Sequence, residues 1–147
     1  MIQIKNMTAT HVPQIAQIEK LCFSDPWSAS SVATELENSY SLWLVALDGD
    51  TVAGYVGSQS VLDGADMMNI AVHPDYRRQG IARELVTGLI NALAEKGVKS
   101  LALEVRQSNA PAIALYEQLG FIQVGLRTNY YRNPKENALI LRKEWSL

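Results

Sequence analysis

The sequence predicts an α/β fold in which helices cover a sheet of mixed strand direction. The chain has 147 residues, of which 48% are hydrophobic and 19% are charged, so it can bury the core of one domain. Apolar residues recur with a period of two in some segments and of about 3.6 in others, which indicates both strands and helices. Asp48-Gly49-Asp50 joins two strand-like segments and favours a tight hairpin, so consecutive strands run antiparallel. We therefore expect a single domain over residues 1–147 and exclude a purely parallel sheet.

The first half of the chain predicts six elements. Residues 1–5 alternate apolar and polar side chains, as a strand does. Thr8 or Thr10 can cap a first helix, and Ser28 can cap a second one after the break at Pro26. The apolar positions of the first helix are Val12, Ile15, Ile18 and either Leu21 or Cys22. Three strands follow over residues 42–47, 52–61 and 67–72.

The second half predicts five more elements. After Gly80 the apolar period changes to 3.6 over a long helix, which Lys96-Gly97 ends. A short strand over residues 101–105 precedes a helix that Asn109 caps and Gly120 ends. The last two strands cover residues 121–126 and 138–141. The order β-α-α-β-β-β-α-β-α-β-β is that of a mixed sheet flanked by helices.

Composition and charge exclude several classes of protein. Thirteen Lys and Arg against 15 Asp and Glu give a net charge of −2, without the basic excess that nucleic-acid binding needs. There is no run of about 18 apolar residues to span a membrane, and residues 1–5 lack the layout of a secretory signal. Cys22 is the only cysteine and no His-x-x-His spacing occurs, so we predict no internal disulfide and no metal site. We expect a cytoplasmic protein with no nucleic-acid or membrane partner.

The most informative segment is the turn between the strand at 67–72 and the long helix. The first amides of a helix lack intrahelical acceptors, and the helix dipole adds positive potential there, so such a turn can cradle a phosphate. It is neither a Walker A loop nor a dinucleotide fingerprint. A helix start with solvated arginines is the alternative that the turn alone leaves open. The candidate residues are Arg77, Arg78, Gln79, Gly80, Ile81, Ala82 and Arg83.

The pattern Arg77-x-x-Gly80-x-Ala82 after a strand resembles the acetyl-CoA loop of the GCN5-related N-acetyltransferases, the GNAT family. The resemblance implies a GNAT-type fold with a mixed, mostly antiparallel central sheet flanked by helices. It implies that the amides from residue 78 to residue 83 bind the pyrophosphate of acetyl-CoA. It also implies that the backbone of Ile70, Ala71 and Val72 pairs with the pantetheine arm as an added strand would.

Residues 103–121 resemble the second half of the same cofactor site. The stretch contains Leu-Glu-Val-Arg, then Ser-Asn, then Leu-Tyr-x-x-Leu-Gly-Phe. With Asp-Pro-Trp-Ser at 25–28 and Asn-Tyr-Tyr at 129–131, it is similar to the branch that acetylates protein N-termini, including the N-terminal alanine of the eighteenth small-subunit ribosomal protein of bacteria. The resemblance implies direct acetyl transfer from acetyl-CoA to the N-terminus of a ribosomal protein. The alternatives are a small-molecule amine, other protein N-termini or lysines, or a non-catalytic acyl-CoA-binding module.

The resemblance assigns the catalytic roles to Glu104 and Tyr116. A carboxylate suits a base here, because an α-amino group ordinarily has a pKa of about 7.7–8.0 and needs little help to lose its proton. A phenol ordinarily has a pKa near 10, so it stays protonated and can donate to the departing sulfur. In isolation, the two would be interpreted as a solvated glutamate and a half-buried tyrosine. The resemblance also places Asn109 at the cofactor, in addition to its role as a helix cap.

Trp27, Tyr130 and Tyr131 are the candidate acceptor-binding residues. By the resemblance, the loop that holds Trp27 and the segment after the sixth strand flank the acceptor peptide. Packing between the first two helices is the alternative for Trp27. Glu35 and Glu37 are expected on a solvated helix face.

Overall fold

The computed structural model describes residues 1–145. Within this range seven strands form one sheet in the order β1-β2-β3-β4-β5-β7-β6, and four α-helices pack on it. The β4 and β5 strands run parallel, whereas every other neighbouring pair is antiparallel. The predicted order of helices and strands and the mixed sheet are both confirmed.

The first six elements begin and end near the predicted residues. They are β1 (Ile2–Asn6), α1 (Val12–Cys22), α2 (Ala29–Glu35), β2 (Ser41–Asp48), β3 (Thr51–Val61) and β4 (Gly64–Val72). Ser28 caps α2, since its hydroxyl accepts a hydrogen bond from the Ser31 amide at 3.0 Å. Gly49 has a φ of +60° in the β2–β3 hairpin, which is the backbone conformation that the predicted turn requires.

The remaining elements follow the same local signals. They are α3 (Ile81–Glu95), β5 (Ser100–Arg106), α4 (Ala110–Gln118), β6 (Ile122–Tyr131) and β7 (Glu136–Glu144). Asn109 caps α4 by accepting a hydrogen bond from the Ala112 amide at 3.3 Å. Gly97 follows α3 with a φ of +82°, and this left-handed residue stops the helix as the sequence predicts.

Two apolar layers lie on opposite faces of the sheet. On one face α3 buries Leu85, Leu89 and Leu93, and α4 adds Tyr116. On the other face α1 and α2 bury Ile15, Ile18 and Val32 against Trp43 and Tyr55. Cys22 is half-buried on this face whereas Leu21 is exposed, so Cys22 is the residue that completes the apolar stripe of α1. None of the helices within residues 1–145 is both long enough and apolar enough to cross a membrane.

The sheet is interrupted between β4 and β5. Only three residue pairs join these strands, from Gly64 with Ser100 to Asp66 with Ala102. Beyond Asp66 the two strands part, so the rest of β4 has a neighbour on its β3 side only. A backbone edge of this kind can accept another extended chain, because no second strand pairs with it.

Three expectations from the sequence were wrong. Neither Thr8 nor Thr10 caps α1, because a 3-10 turn over Ala9–His11 precedes the helix and His11 is its cap residue. The sixth strand ends at Tyr131 instead of residue 126, so Tyr130 and Tyr131 lie inside β6 and not after it; pairing of Tyr131 with Glu136 carries the hairpin further than the apolar pattern indicates. Glu35 is buried, not solvated, since its carboxylate accepts hydrogen bonds from Ser41 and Gln59.

Candidate active site

The turn between β4 and α3 has two residues with left-handed backbone. Gly80 caps α3 with a φ of +77°, and Arg78 has a φ of +66°. A Cβ at Gly80 would have no atom within 4 Å, so the space beside this residue is open. The glycine is required by its left-handed backbone conformation and not by close packing. The left-handed backbone of a non-glycine residue such as Arg78 costs about 1–2 kcal/mol. Such strain concentrates at ligand sites.

A cleft of about 310 Å³ opens at this turn. The first hydrogen bond within α3 runs from the N–H of Glu84 to the carbonyl of Gly80, at 3.1 Å. The amides of residues 81–83 therefore have no acceptor within the helix. These amides, the helix dipole and the arginines make the cleft suitable for an anion. All the predicted pyrophosphate residues except Gln79 line it, namely Arg77, Arg78, Gly80, Ile81, Ala82 and Arg83.

The free edge of β4 begins next to this cleft. Val72 lines the cleft, and its carbonyl accepts hydrogen bonds from Arg77 Nε at 3.4 Å and from Cys22 Sγ at 3.7 Å. The Ile70 amide donates to the side chain of Asn69 at 3.1 Å. Ile70 and Val72, two residues apart, therefore direct backbone groups away from β3. Ala71 lies between them and directs its backbone groups toward β3, as strand alternation requires.

The hydroxyl of Tyr116 lies where β4 and β5 part. Its Oη is 3.9 Å from the sulfur of Met67, the residue that follows the last β4–β5 pair. The ring packs edge to face on Phe121, with the centroids 5.5 Å apart, and the residue is 5% exposed. Burial raises the pKa of Tyr116 to about 12, and nearby Tyr131 adds to the increase. The phenol is therefore protonated at any physiological pH and can donate a proton.

Glu104 extends from β5 and forms an ion pair with Arg127. The distance from Arg127 Nε to Glu104 Oε1 is 3.2 Å, and the Glu104 side chain is 27% exposed. Glu104 lies between the buried Leu103 and Val105 in β5. Because successive side chains of a strand point to opposite faces, the Glu104 side chain lies on the other face of the sheet from theirs. A partly exposed carboxylate in this position is accessible to a second substrate.

Tyr131 is near both predicted catalytic side chains. Burial, with smaller contributions from Tyr130 and Glu104, raises the pKa of Tyr131 to about 12. The electrostatic influence of Tyr131 in turn contributes to the raised pKa of Tyr116. The guanidinium of Arg106 lies over the Tyr131 ring, 4.4 Å from its centroid, and holds it in place. Tyr131 thus interacts electrostatically with both Glu104 and Tyr116, and the catalytic and acceptor-binding roles of the three residues stay predictions.

The other predicted residues have clear structural contacts. Trp27 is half-buried in the loop between α1 and α2, and its ring packs edge to face on Trp43 at 5.4 Å. The packing alternative for Trp27 is therefore real, and its role toward the acceptor stays a prediction. Tyr130 is 49% exposed beside Tyr131, with Arg127 over its ring at 5.6 Å. Asn109 is exposed at the start of α4, where it serves as the helix cap.

Two charged residues of this region, Arg127 and Glu19, could not be assigned a role from the sequence. Arg127 gave no signal of its own, because its pairing with Glu104 depends on the sheet order. Glu19 lies on the apolar stripe of α1, four residues after Ile15, and it is 1% exposed. A charged residue at an apolar helical position is a signal that could have identified it.

The residues present fit the acyl-CoA cofactor that the sequence resemblance implies. The unpaired amides at the start of α3 suit a pyrophosphate, and the open space at Gly80 lets a ligand approach the backbone. The edge of β4 at Ile70 and Val72 suits an amide-containing chain. Within residues 1–145 there is no group of three or more His, Cys, Asp and Glu side chains that could hold a metal ion.

This fold and cleft define an acyl-CoA-dependent N-acetyltransferase. The model of the acetyltransferase (GNAT) family matches residues 12–121, and the chain belongs to that family, whose members use acetyl-CoA. The [ribosomal protein bS18]-alanine N-acetyltransferase of Escherichia coli K12 is 41% identical over 140 residues, which are 94% of each chain. The crystal structure of the ribosomal-protein-S18-alanine N-acetyltransferase from E. coli superimposes with a TM-score of 0.92 at 40% identity, covering 100% of this chain and 96% of that one.

A more distant structure shares the fold and contains the cofactor. The PaiA N-acetyltransferase from Thermoplasma acidophilum, solved in complex with coenzyme A, has a TM-score of 0.81 at 16% identity and covers 99% of both chains. The predicted GNAT fold and membership of the family are therefore confirmed.

Proposed function

We propose that this enzyme transfers the acetyl group of acetyl-CoA to the N-terminal alanine of ribosomal protein bS18. The 41% identity to enzymes of that name, spread over 94% of both chains, supports this acceptor. The observation that carries the proposal is the grouping of Glu104, Tyr131 and Tyr116 where β4 and β5 part, with one group suited to take a proton and another to give one.

Acetyl-CoA would be held by the turn before α3 and by the edge of β4. The backbone amides of residues 78–83 would bind the pyrophosphate, with Arg77 and Arg83 adding positive charge. Ile70 and Val72 would pair with the pantetheine arm in place of their present bonds to the side chains of Asn69, Arg77 and Cys22. Asn109 would contact the arm from the start of α4. When bound, acetyl-CoA supplies an acetyl group activated as a thioester.

Glu104 is the proposed base. An α-amino group with a pKa of about 7.7–8.0 is partly protonated in the cell, so a carboxylate can complete its deprotonation, directly or through a water molecule. Arg127 contacts Oε1 of Glu104, which leaves Oε2 available for the acceptor amine. The partial exposure of Glu104 gives the acceptor access to it.

Tyr116 is the proposed acid. Its raised pKa keeps the proton on the phenol before transfer begins, so the hydroxyl can donate a hydrogen bond, and then the proton, to the sulfur as negative charge develops there. The buried position of the ring against Phe121 fixes the direction of the hydroxyl. Transfer is direct, so no acetylated form of the enzyme is expected.

Trp27, Tyr130 and Tyr131 form the proposed walls of the acceptor site. Tyr130 and Tyr131 lie at the end of β6 with their rings packed edge to face, Tyr130 exposed and Tyr131 half-buried. Aromatic side chains of this kind suit an extended peptide. A single sheet that contains all seven strands supports one N-acetyltransferase domain over the described residues. The proposed acceptor is made in the cytoplasm, which supports a cytoplasmic location for the enzyme.

Peptide acetylation tests the proposal. The purified enzyme is incubated with acetyl-CoA and a peptide that copies the alanine-initiated N-terminus of bS18, and products are weighed by mass spectrometry. One acetyl group should be added to this peptide and none to the same peptide with a blocked N-terminus. Turnover of a polyamine or free amino acid with the peptide unmodified would refute the acceptor, and an acetylated enzyme that accumulates with acetyl-CoA alone would refute direct transfer.

A further inference from the structure

Glu19 is a buried carboxylate with no described role in the chemistry. It lies in the last two turns of α1 with 1% exposure, and no Lys, Arg or His within residues 1–145 forms an ion pair with it. Three neutral groups donate to it instead. They are the backbone amide of Trp27 at 2.8 Å, the hydroxyl of Tyr55 and the side-chain amide of Asn69. We refer to Glu19, Trp27, Tyr55 and Asn69 as the Glu19 cluster.

The cluster fixes the loop between α1 and α2. Among residues 24–27, the bond from the Trp27 amide to Glu19 is the only hydrogen bond to any part of the described chain. The Trp27 ring packs on Trp43, Trp43 stacks on Tyr55 at 5.9 Å, and Tyr55 donates back to Glu19. Glu19 therefore holds the backbone of Trp27 while the aromatic rings hold its side chain.

The same carboxylate reaches the free edge of β4. Asn69 follows a register shift in β4, and its side chain both donates to Glu19 and accepts from the Ile70 amide. The last residue of α1, Cys22, contacts the carbonyl of Val72 at the other end of that edge. The final turns of α1 thus lie along the free edge of β4, and the loop with Trp27 begins beside the gap between β4 and β5.

A merely structural role does not explain a charge at this position. The surrounding layer is apolar, with Ile15, Ile18 and Val32 fully buried, and an apolar side chain at position 19 would avoid the cost of burying a carboxylate. Such a side chain would lose the bonds from the Tyr55 hydroxyl, the Asn69 side chain and the Trp27 backbone, and the last of these is the only hydrogen bond that holds residues 24–27 to the rest of the described chain. We infer that Glu19 is a positioning residue, which fixes Trp27 as one wall of the acceptor site through that bond. This inference rests on the proposed function.

Steady-state kinetics of the Glu19→Gln enzyme test the inference. Tyr55 and Asn69 both donate to Oε2, whereas only the Trp27 amide donates to Oε1. A glutamine has one side-chain oxygen, which satisfies more donors when it faces Tyr55 and Asn69, so the bond to the Trp27 amide is the one lost. The KM for the alanine-initiated peptide should rise about tenfold or more, which is the effect of losing one hydrogen bond to a charged group. The KM for acetyl-CoA should stay near the wild-type value.

Glu35→Gln is the matched control. Glu35 is also a buried carboxylate that accepts two hydrogen bonds, from Ser41 and Gln59, but it lies in α2 away from the gap. Its replacement should lower the melting temperature without changing the KM for the peptide. A rise of the peptide KM in both variants would mean that loss of stability, and not positioning, causes the effect, and would overturn the inference.

A double-mutant cycle with Trp27 tests whether Glu19 changes the peptide KM through this tryptophan. If Glu19 acts through Trp27, then Glu19→Gln adds no further increase of peptide KM to an enzyme that already carries Trp27→Ala. An equal increase in both backgrounds would overturn the inference. Should Glu19→Gln not fold, Glu19→Asp decides instead, because it keeps the carboxylate but its shorter side chain draws the oxygens back from the Trp27 amide. It should raise the peptide KM, and an unchanged KM would contradict the proposed role.

The outcomes separate the inference from the function on which it rests. A wild-type enzyme that leaves the peptide unmodified refutes the proposed acceptor, and the inference with it. A wild-type enzyme that acetylates the peptide, combined with an unchanged peptide KM in folded Glu19→Gln, refutes the inference alone.

Discussion

The Arg127 guanidinium lies 3.2 Å from the Glu104 carboxylate, although the two residues are on strands that are not neighbours in the sheet. Glu104 extends from β5 and Arg127 from β6, and their side chains meet across β7. The Arg127 side chain is 55% exposed, and an ion pair this open contributes only about 0–1 kcal/mol to stability. The effect of the pair is therefore to hold the position of the Glu104 side chain, more than to stabilise the fold.

Glu104→Gln should remove most of the activity and little of the stability. Loss of a general base lowers kcat about 10²–10⁴-fold. Glutamine keeps an oxygen for Arg127, so the free energy of unfolding in a denaturant titration should stay within about 1 kcal/mol of wild type. Glu37→Gln, which replaces an exposed glutamate of the same charge, is the control and should keep full activity. Wild-type kcat in Glu104→Gln would remove this residue from the mechanism.

Tyr116→Phe should lower kcat and leave acetyl-CoA binding intact. The phenol contributes a proton, and its loss should slow transfer about 10²-fold or more. The only described hydrogen-bond partner of the hydroxyl is the Met67 sulfur at 3.9 Å, so phenylalanine keeps the packing on Phe121. The Kd for coenzyme A, measured by calorimetry, should match that of wild type. Tyr40→Phe changes an exposed tyrosine and serves as the control; equal kcat in the two variants would exclude Tyr116 as the acid.

The pH profile follows from the raised pKa of Tyr116. Burial raises this pKa to about 12, so the proton that the acid must donate is present throughout the measurable range. The acceptor amine loses its proton near pH 8, and kcat/KM for the peptide should rise through that value. It should then stay level to about pH 10, since loss of the phenolic proton begins only above that range. A decline that begins below pH 10 in the folded enzyme would contradict the assignment of Tyr116.

Much of the fold could be predicted because its signals are local. Ser28 and Asn109 cap helices with their own side chains, and Gly97 and Gly120 end helices through their own φ angles. The cofactor cleft is equally local, since a single turn of the chain supplies nearly all its predicted residues.

What could not be predicted depends on contacts between distant parts of the chain. Two of the donors to Glu19 are Tyr55 and Asn69, which are 36 and 50 residues away along the chain. The apolar periodicity of α1 does not indicate which distant residues will lie next to Glu19. The end of β6 was missed for a related reason, because pairing with β7 extends the strand through a polar segment. Polar residues at buried positions were the hardest to place, since their partners are known only once the sheet order is known.

The stability of the protein should depend on pH through Glu19. Burial raises the pKa of Glu19 above its ordinary value of 4.5, and the hydrogen bond from the Trp27 amide offsets part of the increase. The folded state then binds the proton more tightly than the unfolded state. This contribution to stability is fully present below pH 4.5 and is lost as the pH rises through the higher folded pKa. The unfolding free energy of wild type minus that of Glu19→Gln should fall over this range, and a difference that does not change with pH would contradict it.

Gly80→Ala and Gly97→Ala separate backbone strain from ligand binding. Both glycines have left-handed backbone, with φ of +77° and +82°, and an added Cβ meets no atom within 4 Å at either position. Each substitution should therefore cost a similar free energy of unfolding, about 1–2 kcal/mol. Only at Gly80 does the new methyl group enter the cleft before α3, where it would keep a pyrophosphate from the backbone amides. Calorimetry should show weaker coenzyme A binding in Gly80→Ala and wild-type binding in Gly97→Ala. Equal affinity in the two variants would mean that the turn before α3 does not hold the pyrophosphate.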